Sequence, residues 1–207
     1  MAYIVFDFDG TLADMKGLIL EIGNEIAAKH NWPPVNEALY KKLSRGSIRD
    51  GIKHLGIPLR EIPFALLEGK RKLSARTNDI ELFADIPALI IELKKEGHEI
   101  FVLSANSQKI IQTVLLNHNL LQHLTVLPSS SIFGKASALK SFIRKRRLDK
   151  ADVWMVGDEL RDIEAAKKAG VKSIAVTWGL QHPDTLRAAA PTYVADKPSD
   201  ISKQIKL

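Results

Sequence analysis

Two aspartates, Asp7 and Asp9, close an apolar segment that begins at Ala2, and Gly10 and Thr11 follow at once. An apolar run of this kind reads as a strand buried inside a parallel sheet. Side chains two apart share one face of a strand, so the two carboxylates would stand together and repel if the strand continued. Gly10 suggests that the chain turns there, with its backbone close to something. Buried like charges are costly unless a cation or a shared proton compensates them. The first dozen residues are therefore a candidate reaction centre.

Three further strand ends carry groups of matching chemistry. Ser104, Ala105, Asn106 and Ser107 lie where a strand gives way to a helix. A hydroxyl and fresh backbone N–H groups at such a junction suit an anion such as phosphate, although Ser and Asn are also common helix caps. Lys135 follows Gly134 at the opening of a helix, after the Ser-rich residues 129–133. A lysine in a first turn opposes the helix dipole and becomes favourable if its ammonium reaches an anion beside the sheet. Gly157 and Asp158 end another strand, and Asp162 follows at a helix start. Taken with Asp7 and Asp9, these carboxylates form an oxygen-rich set suited to a hard cation. Mg²⁺ takes such ligands, usually beside a substrate phosphate.

The elements that must position these groups are legible in the apolar pattern. From about residue 81 onward strands alternate with helices, with strands expected at 98–104, 124–127, 152–156, 173–177 and 192–195. Helical periodicity occupies 85–96, 107–117, 135–147 and 160–169, with Gly97 and Gly170 at expected C-caps. Such alternation predicts an α/β fold, a Rossmann-like parallel sheet with helices on both faces. Ligands in such sheets bind outside the carboxyl ends of the strands. Residues 15–80 break the pattern, with helices expected at 16–30, 36–44, 47–55 and 60–76 and breakers at Pro33, Pro34, Gly46, Gly56 and Pro58. The expected organisation is an α/β core of residues 1–14 and 81–207, with residues 15–80 inserted as a helical cap over the first strand's end.

Composition narrows the function classes. The 207 residues are 45% hydrophobic and 26% charged, as in an ordinary globular protein. No apolar run approaches the roughly 20 residues a spanning helix needs, and the opening residues lack a signal-peptide pattern. With no cysteine there is no disulfide, thiolate nucleophile or zinc–thiolate site, and a cytoplasmic location is expected. A net charge of +6 is concentrated in the basic runs 70–76 and 144–147. No aromatic residue interleaves with these runs in the manner of a single-strand binder. Solvated helix faces, or steering of an anionic substrate, are the expected readings, and nucleic acid is not an expected partner.

The ordered set Asp7-Phe8-Asp9-Gly10-Thr11, Ser104 with Asn106, Lys135, and Gly157-Asp158 with Asp162 resembles the haloacid dehalogenase-like hydrolase superfamily, in its phosphatase branch. The helical insertion and Thr177-Trp178-Gly179 resemble the subgroup containing phosphoglycolate phosphatases and β-phosphoglucomutases. The resemblance implies a nucleophilic Asp7 that forms an aspartyl-phosphate, with Asp9 as general acid and then base. It further implies Mg²⁺ on Asp7, the Asp9 carbonyl and Asp158, with Asp162 behind them. Gly10, Ser104, Asn106 and Lys135 would hold the phosphoryl group, and the partner would be a small phosphorylated metabolite. An acid at position 9 argues against dehalogenation, because a halide needs no proton. A phosphomutase and a catalytically idle basic binding protein are the competing readings. Arg45 and Arg49 are the expected cap residues for specificity, and a monomer or homodimer is expected.

Overall fold

The computed structural model describes residues 1–128 and 134–205, so the Ser-rich residues 129–133 lie outside the described residues. The chain opens with β1 (Tyr3–Phe6) and β2 (Ala13–Asp14), then four helices, α1 (Lys16–Lys29), α2 (Glu37–Leu43), α3 (Ile48–His54) and α4 (Ile62–Ala75). There follow β3 (Glu81–Leu82), α5 (Ile86–Lys95), β4 (Glu99–Val102), α6 (Gln108–Asn117), β5 (Thr125–Val126) and α7 (Lys135–Arg146). The chain ends through β6 (Val153–Gly157), α8 (Leu160–Ala169), β7 (Lys172–Val176), α9 (Pro183–Ala188), β8 (Tyr193–Ala195) and α10 (Pro198–Ile205).

Among the described residues the main sheet runs β5-β4-β1-β6-β7-β8, with every pairing parallel. The apolar run places β1 in the middle, where Val5 is flanked by Phe101 and Met155. Ile4, Val5 and Phe6 are fully buried because helices cover both faces. On one face Ile4 and Phe6 pack with α5, α6 and Ile201 of α10. On the other, Val5 packs with Leu139 and Phe142 of α7 and Ala166 of α8. From β1 the chain builds β4 and β5 to one side, and from β6 it builds β7 and β8 to the other. The crevice between β1 and β6 is thus the topological switch point, where α/β sheets bind ligands.

Two pieces depart from the sequence expectation. Ala13 pairs antiparallel with Leu82, and Asp14 with Glu81, in a ribbon that brackets the four-helix insertion. Two-residue strands are too short to register a period of two. Helices α9 and α10 also lie outside the expected set, because each is short and buries little, chiefly Leu186 in α9 and Ile201 in α10. Within the insertion, α1 buries Leu18, Ile22, Ile26 and Ala27, whereas α4 buries no residue.

The basic runs find acidic neighbours in the same chain. Lys72 of α4 reaches Glu25 at 2.5 Å, and Arg76 reaches Glu21 at 2.9 Å. Arg146 of α7 pairs with Glu99 and lies over the Phe101 ring. No helix among the described residues is long and apolar enough to cross a membrane.

Candidate active site

The site is built at the end of β1. The Asp7 N–H still donates to Val156 of β6 at 2.8 Å, so the carboxylate is fixed to the sheet edge and fully buried. Beyond it the chain turns sharply, and the N–H groups of Thr11, Leu12 and Ala13 all donate to the Phe8 carbonyl. The strand therefore does not continue, and the two aspartates take different partners. Asp7 Oδ1 accepts from the Phe8 N–H at 2.7 Å, and its Oδ2 lies 2.7 Å from Lys135 Nζ. That contact has ion-pair distance but not hydrogen-bond direction, so Oδ2 is a buried oxygen without a hydrogen bond. Asp9 turns instead to Asn106 Nδ2 at 2.8 Å and Ser104 Oγ at 3.5 Å.

The Gly-Asp motif after β6 supplies the rest. Asp158 is fully buried, and its two oxygens accept from Thr11 Oγ1 and the Leu180 N–H, each at 2.7 Å. Gly10 has φ of +78°, and a Cβ there would lie 2.2 Å from Asp158 Oδ2. Only glycine meets both demands. Its close neighbours on that side are Asp158 and Leu180. Asp162 Oδ2 accepts from the Glu159 N–H at 3.1 Å, and Oδ1 accepts from Lys135 Nζ at 2.5 Å. Gly157 is small for a parallel reason, since its Cβ would come within 2.2 Å of Asp162.

Ligand oxygens of Asp7, Asp158 and Asp162 lie within 4.8 Å of one another. The carboxylate group thus contains Asp162, expected behind the metal, whereas the Asp9 side chain stands outside it. Such an arrangement is electrostatically expensive by itself. Burial pushes the Asp158 carboxyl well above the ordinary range, with Glu159, Asp7 and Asp162 adding to it. Burial likewise raises Asp9 to about 6, helped by Asp7 and opposed by the Asn106 hydrogen bond. Lys135 is almost fully buried, which disfavours its charge, yet Asp162 and Asp7 outweigh this and hold its pKa above the ordinary lysine value. The donor set of hard oxygens, with one buried carboxylate oxygen lacking a hydrogen bond, fits a divalent cation such as Mg²⁺.

Ser104, Asn106 and Lys135 all reach this place. The Asn106 N–H donates to Ser104 Oγ at 3.2 Å, and both side chains face Asp9. Arg45, the first of the two arginines expected to set specificity, lies where the insertion meets α9. Its guanidinium pairs with Asp184 at 3.2 Å and with the His182 ring at 2.9 Å, so it fastens the insertion to α9. Arg49 lines a cavity of about 390 Å³ together with Lys135, Glu159, Arg161, Lys168 and Gln181.

Sequence reading misses the segment that joins the insertion to the site. Gln181 Nε2 donates to the carbonyls of Ser44 and Gly46 at 2.5 and 2.8 Å. The His182 N–H donates to Ser44 as well, and Tyr40 donates to the Leu180 carbonyl at 2.6 Å. The neighbouring Leu180 N–H is the one held by Asp158. Sequence reading also misses Glu159 and Arg161, a largely buried ion pair beside the carboxylates. Burial raises Glu159 to about 7, with Arg161 opposing. Residues two apart do not normally meet on a helix, so their spacing carries no signal.

Comparison with known proteins agrees with this geometry. The family model described as "Haloacid dehalogenase-like hydrolase" matches residues 4–176. A phosphoglycolate phosphatase of Synechococcus elongatus is 31% identical over 206 residues, covering 99% of this chain and 97% of the relative. An N-acetylmuramic acid 6-phosphate phosphatase of Pseudomonas aeruginosa is 26% identical over 194 residues, covering 87% and 84%. Among solved structures, a haloacid dehalogenase-like family hydrolase from Streptococcus pneumoniae superposes with a TM-score of 0.84 at 20% identity, covering 99% of this chain and 98% of that one. At that identity the superposition speaks for the fold alone.

Proposed function

The chain belongs to the haloacid dehalogenase-like hydrolase family, and we propose that it is a Mg²⁺-dependent phosphatase of a small phosphomonoester. The observation that carries this reading is Asp7 Oδ2, a buried carboxylate oxygen without a hydrogen bond, held beside Lys135. In the proposed first step this oxygen attacks phosphorus and the bond to the ester oxygen breaks, leaving an aspartyl-phosphate on Asp7. Asp9 donates its proton to the departing alkoxide. In the second step Asp9 takes a proton from a water that attacks phosphorus, and inorganic phosphate leaves with Asp7 regenerated. Lys135, Ser104 and the Asn106 backbone hold the phosphoryl oxygens as charge redistributes over them. Asp7, Asp158 and the Asp9 carbonyl would hold Mg²⁺, while Asp162 fixes Lys135. When bound, the metal offsets the repulsion between the carboxylates and an anionic substrate.

Residues 15–80 serve in this reading as a cap, and residues 1–14 with 81–207 as the core. The β2–β3 ribbon at the insertion's two ends supports that division, as do the bonds from Gln181 to the 44–46 loop. The names of the two relatives, each pairing an acid with a phosphate, favour a substrate of the phosphoglycolate type. The direct test is release of inorganic phosphate from a panel of phosphomonoesters with Mg²⁺ and again with EDTA. Turnover only in the presence of the metal is expected, and a panel with no turnover would sink the reading.

Two further results follow from the site. Because the cation binds the folded carboxylates, saturating Mg²⁺ adds about 2–3 kcal/mol of stability at a hundred times its dissociation constant. A rise of about 5–10 °C in the thermal midpoint, reversed by EDTA, is the expected readout. Separately, Asp9 with a pKa of about 6 is protonated below that value and ionised above it. Turnover of alkyl phosphates, which need a proton on the leaving oxygen, therefore falls as pH rises through about 6. Turnover of p-nitrophenyl phosphate, whose nitrophenolate leaves without a proton, does not fall over the same range. Equal profiles for both esters would remove Asp9 from the acid role.

A further inference from the structure

The cavity beside the carboxylates has a chemistry that phosphoryl transfer does not use. Lys135 marks its inner end, and Arg49, Arg161 and Lys168 bring three more cations to its wall. Arg161 and Lys168 sit seven residues apart on α8, two turns along one face, so Lys168 lies about 10 Å further out. Arg161 is thus the α8 cation next to the reacting group, directly preceding Asp162. Its side chain is three-quarters buried, one terminal nitrogen meets Glu159, and its Nε is buried without a hydrogen bond. A guanidinium in that state is costly and has donors to offer. Its planar fork matches a carboxylate or phosphate in two parallel bonds.

We propose that Arg161 is a specificity residue that grips a second anionic group of the substrate, a carboxylate or a second phosphate, while Lys135 holds the phosphoryl end. In the free enzyme Glu159 holds Arg161, and the substrate's anion engages the remaining donors. The inference rests on the phosphatase reading and deepens it. It also assigns Glu159 a task apart from the metal, namely aiming Arg161 into the cavity. A purely structural Glu159–Arg161 pair would behave differently.

The test compares kcat/KM with Mg²⁺ for ethyl phosphate, p-nitrophenyl phosphate, 2-phosphoglycolate and a sugar bisphosphate, in the wild type and in Arg161→Gln and Arg161→Lys. Wild type is expected to favour at least one doubly anionic ester over ethyl phosphate by about 30-fold, the scale of a charge-assisted hydrogen bond. The carboxylate and bisphosphate arms show which anion is taken. Arg161→Gln shrinks that preference tenfold or more, chiefly through KM, and Arg161→Lys recovers only part of it. A wild type that turns over ethyl phosphate as well as the doubly anionic esters overturns the inference while leaving the phosphatase reading intact. An unchanged preference in Arg161→Gln, or an equal loss on every ester, overturns it as well, since a structural pair behaves that way. Should wild type hydrolyse none of the four, the phosphatase reading fails and takes this one with it.

Discussion

Replacing Asp7 with asparagine lowers phosphate-ester hydrolysis by about 10⁴-fold or more, the scale seen when a nucleophile is removed, while the protein stays folded. The two halves of this expectation have separate causes. The amide of the Asp7→Asn variant offers no carboxylate oxygen to attack phosphorus, so neither the proposed covalent step nor its hydrolysis can proceed. The fold, however, does not depend on this carboxylate. Four buried acids, Asp7, Asp158, Glu159 and Asp162, face two cations, Lys135 and Arg161, and Asp7 raises the pKa of the other three. Deleting its charge relieves that repulsion and offsets the lost contact with Lys135, which keeps Asp162 at 2.5 Å. In metal-free buffer the thermal midpoint should stay within about 4 °C of wild type, since ~1 kcal/mol moves a domain of this size by roughly 2–4 °C. Activity within tenfold of wild type would mean that another group attacks phosphorus. Collapse of the fold would mean that the balance of charge has been misjudged.

The fold is largely legible in the sequence because its signals are local. An apolar run such as residues 3–6, or the four buried positions Ile110, Ile111, Val114 and Leu115 of α6, declares a buried strand or an amphipathic helix within a few residues. The β2–β3 ribbon escapes because two residues carry no period, and only its partner across 67 residues makes it a strand. Helices α9 and α10 escape because a short helix that buries one or two side chains is stabilised by what it packs against.

The candidate site divides along the same line. Asp7, Asp9 and Asp158 are visible because each carboxylate follows a buried strand, Lys135 because its charge opposes the helix dipole in a first turn, and Asp162 because it follows Asp158 by four residues. That Asp162 joins the carboxylate group and Asp9 turns away is not visible, because a turn decides it. Only glycine allows that turn, with φ of +78° at Gly10 and Asp158 pressed against it. Arg45 and Arg49 are equivalent in sequence, yet Asp184 claims the first and the cavity takes the second. The Tyr40–Leu180 bond spans 140 residues, a separation over which no local pattern carries information.

The opposite member of the same ion pair should behave in the opposite way. Lys135→Met removes the cation that Asp7 and Asp162 share, leaving two buried carboxylates facing each other. Breaking a buried pair from one side costs about 3–5 kcal/mol, which corresponds to a midpoint about 10 °C lower. Activity is expected to fall by about 10²–10³-fold with the loss of the proposed donor to the phosphoryl oxygens. The stability deficit has a definite pH dependence. Burial raises Asp162 in the folded state, and Lys135 is what chiefly opposes this. Without Lys135 its folded pKa rises further, above the unfolded value of about 3.9. A carboxylate of that kind takes up its proton more readily when folded, so stability is retained at low pH and lost as pH rises through the folded pKa. The deficit measured by urea unfolding in metal-free buffer should therefore narrow from pH 7 to pH 5. Combining the two substitutions supplies the closing check. Asp7→Asn changes little in wild type but should recover about 1–3 kcal/mol in the Lys135→Met background, because it removes the charge left without a partner. Additive effects would show that Lys135 and Asp7 are neighbours without being an energetic pair.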